Sequence, residues 1–398
     1  MMPQSPSQEV SPAVRLASAK LATSLFTASF GSRPGVVTSA PGRIILIGEP
    51  TDHNGGPILT IAVERRTAVV AGLAAHWTCI STLDNQVHEL DLGEPASGHW
   101  SACLEGVIRQ LRVIGAAPPG AIVAVAGGVS AHTNPAYSGS LAVAAAKALS
   151  LLAGRRLSPV ELLDVGFRAE PQLIGVLGWR VDLTIATHGQ RGMAFLLERT
   201  TGGVRALPFP NRLWVMQTDV SRDPSDESPG LRLRQFEEAL AYCRKWRPGL
   251  AHLAQLSLPD LEELQRGLPP PLVPPVRYVV AEAGRARMAA GALAAGDLSR
   301  FGLLLVEGHE SLKQDYDWPS AEADLLVGSA VAHGAYGARL TTSGPEEAVI
   351  MLAPPESEAR ILAQVSQDFQ DRFGRVLQVW GTRAAAGVRR ETVSSSEQ

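Results

Sequence analysis

Two apolar, β-branched runs, RIILIG (43–48) and ILTIAV (58–63), are joined by only nine residues, EPTDHNGGP. This pair constrains the fold more than any other feature of the chain. Each run reads as a strand, and the glycine- and proline-bearing stretch between them reads as a tight polar loop. That loop carries two carboxylates, Glu49 and Asp52. Carboxylates held there can face the hydroxyls of a sugar or another polyol. On composition alone the stretch reads first as an ordinary polar turn.

The 398 residues are comfortable for two domains, and 45% hydrophobic against 19% charged residues support a sizeable core. A formal charge of −3, with no run of Lys or Arg, gives no general attraction to nucleic acid or anionic membrane. The three cysteines, Cys79, Cys103 and Cys243, are widely separated and odd in number, which argues against a disulfide framework and for a reducing cytoplasm. The start, MMPQSPSQEVSP, lacks the layout of a signal peptide, and no apolar run reaches the length of a membrane span. The nine histidines show no metal-ligand spacing.

Along the chain, 1–12 reads as a disordered start. SPAVRLASAKLATSLFTASFG reads as a helix capped by Ser11, with Pro12 at its first position and Gly31 at its end. WSACLEGVIRQLRVIG has helical spacing and a glycine stop. In SPVELLDVGFRAEP, Ser158, Pro159 and Glu161 make a capping box. VDLTIATHG reads as a short helix, with Asp182 as its possible N-cap, and GMAFLLE as a strand. One domain is expected over 13–200 and a second over 201–388, with a solvated tail over 389–398. The second domain holds strand RLWVMQTDV, helix LRLRQFEEALAYCRKW and then a proline-rich connector, LPPPLVPPVRY, expected to break it. Alanine-rich helices follow, then GARLTTSGPEEAVIMLAP as strand, loop, strand. The pattern is α+β in both halves.

GGVSAHTNPAYSGSLAVAAAKAL (127–149) follows the apolar run AIVAVA and leads into a helix. A strand, loop and helix N-terminus in that order often bind phosphate. Here the loop holds a histidine, a proline and a tyrosine where small residues are expected.

The stretch APGRIILIGEPTDHNGG (40–56) closely resembles the galactokinase signature G-R-x-N-L-I-G-E-H-T-D-Y-N-x-G of the GHMP kinase superfamily. The resemblance continues in order. HWSACLEGVIRQL is similar to W-x-x-Y-x-x-G-V, and FRAEPQLIGVLGWRVDLTIATHGQRGMAFLLE to A-E-N…G-I-M-D-Q…G…A-L-L. LRLRQFEEA is similar to R-R-x-Q-C-E, VEGHESLKQDYDWP to S-H-x-S-L-x-x-D-F, and GARLTTSG to the start of G-A-R-M-T-G-x-G-F-G-G. It spans roughly residues 20 to 385. The resemblance implies a two-domain GHMP-kinase-like fold, with an N-terminal ribosomal-protein-S5-like domain and a C-terminal ferredoxin-like α+β domain. It also implies transfer of the ATP γ-phosphoryl group to the anomeric hydroxyl of galactose or a related sugar, with Mg²⁺, the partners being the sugar and ATP.

By the same resemblance, Asp182 is the catalytic carboxylate, also contacting the sugar, and Arg43 is the cation beside the reacting groups. A fixed cation can favour the ionised aspartate and offset transition-state charge. Glu49 and Asp52 contact sugar hydroxyls. Asn134, Tyr137, Ser138, Gly139 and Ser140 fall on the nucleotide loop, and Ser138 with Glu170 on the Mg²⁺ site. Mg²⁺ takes few protein ligands, so one hydroxyl and one carboxylate suffice.

The departures are concentrated. The family glutamine after the aspartate is Leu183, the asparagine near Arg43 is Ile45, and prolines 50 and 229 replace a histidine and a tyrosine. The family's G-A-G-L-S-S-S-A-S-L falls on His132 to Leu141, losing both glycines, and Pro135 offers no N–H. Tyr137 is expected to add bulk where a phosphate approaches backbone. T-G-x-G-F-G-G reads TTSGPEE, bringing Glu346 and Glu347 towards the nucleotide. These changes lead to an expectation of weakened ATP affinity. They also frame two alternatives: a silent homologue acting as a sugar or partner sensor, and a kinase for a different small hydroxylated substrate.

Overall fold

The structure, a computed structural model, describes residues 12–49, 51, 54–93, 100–127, 136–169, 177–198, 201–221, 228–264, 267–316, 318–341 and 346–392. The chain divides into two compact units. One is built from 10–43, 62–191 and 384–398, and the other from 1–9, 44–61 and 192–383. Each is discontinuous in sequence, unlike the two contiguous spans expected.

The first unit holds helices α1 (Pro12–Phe30), α2 (Ser101–Val113), α3 (Ala136–Leu152), α4 (Pro159–Ala169) and α5 (Leu177–His188). Its strands belong to β1 (Val36–Ile47), β2 (Ile58–Leu73), β3 (Thr78–Ser81), β4 (Val87–Glu89), β5 (Ala121–Gly127) and β12 (Arg389–Arg390), in the spatial order β12-β1-β2-β5-β3-β4. β2 and β5 run antiparallel, with Val69 opposite Val125, whereas β3 and β5 run parallel. Alternate residues serve opposite faces, as a pleated strand requires. Val69, Ala71, Val123 and Val125 join the core made with α2–α5, and Ala68, Val70, Ala124 and Ala126 join the core made with α1. Burial on both faces explains why these strands read as unbroken apolar runs.

The end of the chain belongs to this unit for a specific reason. Arg66, buried on β2, donates to Ser39 Oγ (2.6 Å), the Ser39 carbonyl (2.9 Å), and the carbonyls of Ala386 (2.7 Å) and Gly387 (2.8 Å). β12 then pairs antiparallel with β1, Arg390 opposite Thr38. The expected helix over 159–169 forms with its capping box: Glu161 N–H donates to Ser158 Oγ (3.2 Å), and Ser158 N–H to Glu161 Oε2 (2.8 Å).

The second unit carries β6 (Met193–Glu198) and β7 (Gly203–Pro208) as a hairpin, with β6 paired to Ile58–Thr60. It also carries a four-stranded antiparallel sheet of β8 (Leu213–Ser221), β9 (Gly337–Thr341), β10 (Glu346–Leu352) and β11 (Gln378–Thr382), in the order β11-β8-β10-β9. Its helices are α6 (Ser228–Trp246), α7 (Leu258–Leu264), α8 (Val273–Ala295), α9 (Leu298–Tyr316), α10 (Ala321–Ala332) and α11 (Glu358–Phe373). Met216 faces Val349 across the β8–β10 pair, and Val349 faces Leu340 across β10–β9. These side chains share one core with Val276, Leu312, Leu326 and Phe369 from the helices. The proline-rich stretch is not a break. Pro270–Leu272 forms a single 3₁₀ turn, and prolines 274 and 275 sit in the first turn of α8, where a missing N–H has no helical partner to lose. Both units mix helices with a sheet, so the α+β expectation holds.

Candidate active site

In the first unit, Arg43 on β1 and Asp182 on α5 form a buried ion pair, Arg43 Nε donating to Asp182 Oδ1, with side chains only 4% and 2% exposed. Asp182 is not a helix N-cap. The helix starts at Leu177, so the carboxylate projects from the interior of α5. The reason is packing: Val181, Leu183, Ile185 and Ala186 are all buried, so the helix is fixed by its apolar face rather than by a cap. Leu183, where the family pattern has glutamine, packs its methyl groups against Gly166 of α4; a methyl added there would stand 2.6 Å from Leu183 Cδ2.

Gly139, in the first turn of α3, faces Asp182 directly. A Cβ at this position would lie 2.6 Å from Asp182 Cβ and 3.2 Å from its backbone carbonyl carbon. The close approach at this glycine is therefore to the aspartate. Ser138 beside it is half-buried, and its carbonyl accepts from Cys103 Sγ at 3.5 Å. Two other residues expected to contact nucleotide face inward instead. Tyr137 is 5% exposed and packs in the apolar core, so its ring adds no bulk on the outer side of the helix end; burial pushes its phenol pKa up, with Ser81 partly opposing. Ser140 is fully buried, its hydroxyl 2.7 Å from Thr67 Oγ1 and 2.9 Å from the Tyr137 carbonyl that it donates to. The helical repeat explains both, since positions 137, 140, 141 and 144 share the inward face of α3. Asn134, Glu170 and Asp52 lie outside the described residues, as does the side chain of Pro229.

In the second unit, the loop after β1 is held by its own backbone and by a buried charge network. Gly48 has φ +103°, and a Cβ on it would stand 2.2 Å from the Pro57 carbonyl oxygen, so only glycine fits. Thr51 Oγ1 donates to the Gly48 carbonyl at 2.7 Å, and the N–H groups of Asn54 (2.9 Å) and Gly56 (3.0 Å) donate to the Thr51 carbonyl. Glu282, fully buried on α8, accepts from Gly48 N–H (2.8 Å), Arg339 Nη1 (2.7 Å) and Arg285 Nε (2.8 Å). Burial alone would raise the Glu282 pKa; Arg339 and Arg285 outweigh it and hold the carboxyl below its usual range. The carbonyl of half-buried Glu49 accepts from the Tyr278 hydroxyl and from Arg339 Nη2 (3.3 Å).

Sequence reading missed Tyr278 and Glu282 and gave Arg339 no role. One signal was present: Glu282 is a lone acid amid VVAEAGRARMAAGALAAG, where a charge on an apolar helix face needs a partner. The charge expected of Glu347 near nucleotide is turned inward. Glu347 is 5% exposed and accepts from Ser320 N–H (3.3 Å), the N-cap of α10, where a helix N-terminus favours an anion.

The family model for the galactokinase galactose-binding signature matches residues 24–73, the segment containing Arg43, Gly48 and Glu49. The galactokinase of Roseiflexus sp. (strain RS-1) is 31% identical over 372 residues, covering 92% of this chain and 95% of that protein. The chain belongs to the galactokinase family. The galactokinase of Chloroflexus aggregans (strain MD-66 / DSM 9485) is 32% identical over 371 residues, covering 91% and 95%. The crystal structure of Lactococcus lactis galactokinase complexed with galactose superposes with a TM-score of 0.83 at 26% identity, covering 93% of this chain and 99% of that one. Methanococcus jannaschii mevalonate kinase shares the fold, with a TM-score of 0.61 at 15% identity over 88% of this chain and 98% of that one. In family and fold the chain is therefore a galactokinase-like sugar kinase, as its sequence resemblance implies. Among the described residues no helix is long and apolar enough to cross a membrane.

Proposed function

We propose that this galactokinase family member transfers the γ-phosphoryl group of ATP to the anomeric hydroxyl of galactose or a related sugar. The observation that carries this reading is the buried Arg43–Asp182 pair, set inside α5 and abutted by Gly139 at the start of α3. Asp182 accepts the proton of the sugar hydroxyl as its oxygen bonds to the γ-phosphorus. The bond from that phosphorus to the β–γ bridging oxygen breaks, and ADP departs. Arg43 holds the carboxylate in place and offsets charge that spreads over the phosphoryl oxygens. Glu49 and Asp52 hold sugar hydroxyls.

The α3 N-terminus offers its N–H groups and dipole to the phosphates. Half-buried Ser138 is its outward contribution, Gly139 abuts Asp182, and Tyr137 and Ser140 shape it from behind. Mg²⁺ fits a site of this kind in donor type: Ser138 gives a half-buried hydroxyl oxygen, Glu170 would give a carboxylate, and phosphate and water complete the shell. When bound, Mg²⁺ neutralises phosphate charge. Among the described residues no cluster of three or more His, Cys, Asp or Glu could hold a metal without such help.

The test is ADP release with ATP, Mg²⁺ and a panel of hexoses. Turnover is expected on galactose or a close epimer, and Asp182→Ala is expected to lose at least about a hundredfold in kcat. Hexose-dependent turnover that survives Asp182→Ala unchanged rules the mechanism out.

A further inference from the structure

The signature loop of this chain is gripped from behind by groups that never reach its surface. Three side chains converge on two consecutive residues. Glu282 accepts the Gly48 N–H at 2.8 Å, Tyr278 donates to the Glu49 carbonyl, and Arg339 bridges the two grips, reaching Glu282 Oε1 at 2.7 Å and the Glu49 carbonyl at 3.3 Å. Glu282 and Tyr278 are fully buried, and Arg339 is 2% exposed. Both flanking backbone groups of the Gly48–Glu49 peptide unit are thereby fixed, and the Glu49 charge also acts on Arg339.

Placement in the fold makes this more than ordinary core satisfaction. Tyr278 and Glu282 are four apart on α8 and so lie on one helix face. Arg339 comes from β9, whose Thr341 Oγ1 also donates to the Ile45 carbonyl at 3.3 Å, three residues before the loop. Two elements distant in sequence thus converge on one segment of 45–49. A buried ionised cluster is costly to desolvate, and apolar residues of similar volume would pack the same space. What apolar residues could not supply is a fixed direction for the Gly48 N–H and the Glu49 carbonyl. A hydrogen bond to each sets the rotation of the backbone that carries the Glu49 carboxylate.

We infer that Tyr278, Glu282 and Arg339 are positioning residues that set sugar selectivity by fixing the orientation of Glu49. They act on sugar binding and leave nucleotide binding untouched. The inference rests on the reading of Glu49 as a sugar-facing carboxylate.

Steady-state kinetics with galactose and ATP test it in wild type, Glu49→Gln, Tyr278→Phe, Glu282→Gln and the double variant Tyr278→Phe/Glu49→Gln. Tyr278→Phe keeps the ring and removes only the donor to Glu49. It is expected to raise the galactose KM about tenfold and leave the ATP KM unchanged. In the Glu49→Gln background it is expected to add little, because the group it positions is already impaired. Glu282→Gln serves as the second variant should Tyr278→Phe not fold, with the same expected split between the two KM values.

The inference is overturned if Glu49→Gln raises the galactose KM while Tyr278→Phe and Glu282→Gln do not. It is also overturned if their effects fall equally on the ATP KM, or add in full to that of Glu49→Gln. A wild-type chain that turns over galactose with a KM indifferent to Glu49→Gln overturns the reading of Glu49 itself, and this inference with it.

Discussion

At the scale of single residues, Gly139 and His309 carry the most specific consequences. Gly139→Ala places a methyl 2.6 Å from Asp182 Cβ, so α3 and α5 must separate. Overpacking of this kind costs about 1–3 kcal/mol, and the displaced carboxylate should lower kcat more than it raises either KM. Chemical denaturation and steady-state kinetics read the two effects; a variant of unchanged stability and kcat contradicts the close approach. His309 is 1% exposed, its Nε2 3.1 Å from Asp324 Oδ1 and its Nδ1 accepting Leu340 N–H at 3.3 Å. Nδ1 as acceptor means a neutral ring protonated at Nε2. Burial lowers its pKa below the ordinary 6.5, with Arg339 adding to burial and Asp324 and Glu310 opposing. The unfolded chain therefore binds the extra proton first as pH falls. His309 contributes stability in full above about pH 6.5 and loses it progressively below, down to its folded pKa. His309→Gln should flatten the pH dependence of the melting temperature in that window; an unchanged slope contradicts the assignment.

At the scale of elements, the Glu282 cluster ties α8 and β9 to the loop that begins at Gly48. Arg339→Met removes one of two cations that face Glu282 and leaves the Glu49 carbonyl with one donor fewer. Breaking a buried pair from one side costs roughly 3–5 kcal/mol, measurable by urea denaturation; a loss below about 1 kcal/mol, the range of exposed pairs, contradicts the burial described. Because the folded pKa of Glu282 is held below 4.5, its contribution is present above that pH and is lost as pH falls through the folded value. Elements with strong local signals were legible in sequence: the capping box of α4, the glycine stop of α2 and the paired strands Gly337–Thr341 and Glu346–Leu352 all form. The start of α5 was not, because Asp182 carries a local N-cap signal, while burial of Val181, Leu183 and Ile185 carries the helix past it. LPPPLVPPVRY misled for a related reason: proline marks a break inside a helix but suits its first turn. As candidates, Arg43 and Asp182 in one unit and Glu49 in the other could be named from motif order alone. The network behind Glu49 could not, since its members lie more than 200 residues from the loop.

At the scale of the whole molecule, neither unit is a continuous stretch of chain. Local sequence signals cannot reveal that residues 384–392 return to the unit containing β1, because the tie is tertiary: Arg66 reaches carbonyls 320 and 321 positions away. Truncation after Arg383 should therefore lower the melting temperature of the chain by several degrees rather than trim a tail, and Arg66→Ala should reproduce part of the loss. Full stability after truncation contradicts the role given to β12. The two units together carry a chain covering nearly all of its galactokinase relatives, with the buried ion pair in one and the clamped signature loop in the other. The most direct test of the central claim is the product. Wild-type protein incubated with galactose, ATP and Mg²⁺ should give a sugar phosphate whose phosphorus couples to the anomeric proton in ³¹P–¹H NMR, in step with ADP. Asp182→Asn should bind galactose yet form that product at least about a hundredfold more slowly. Phosphate on another hydroxyl, or undiminished product from Asp182→Asn, would contradict the account.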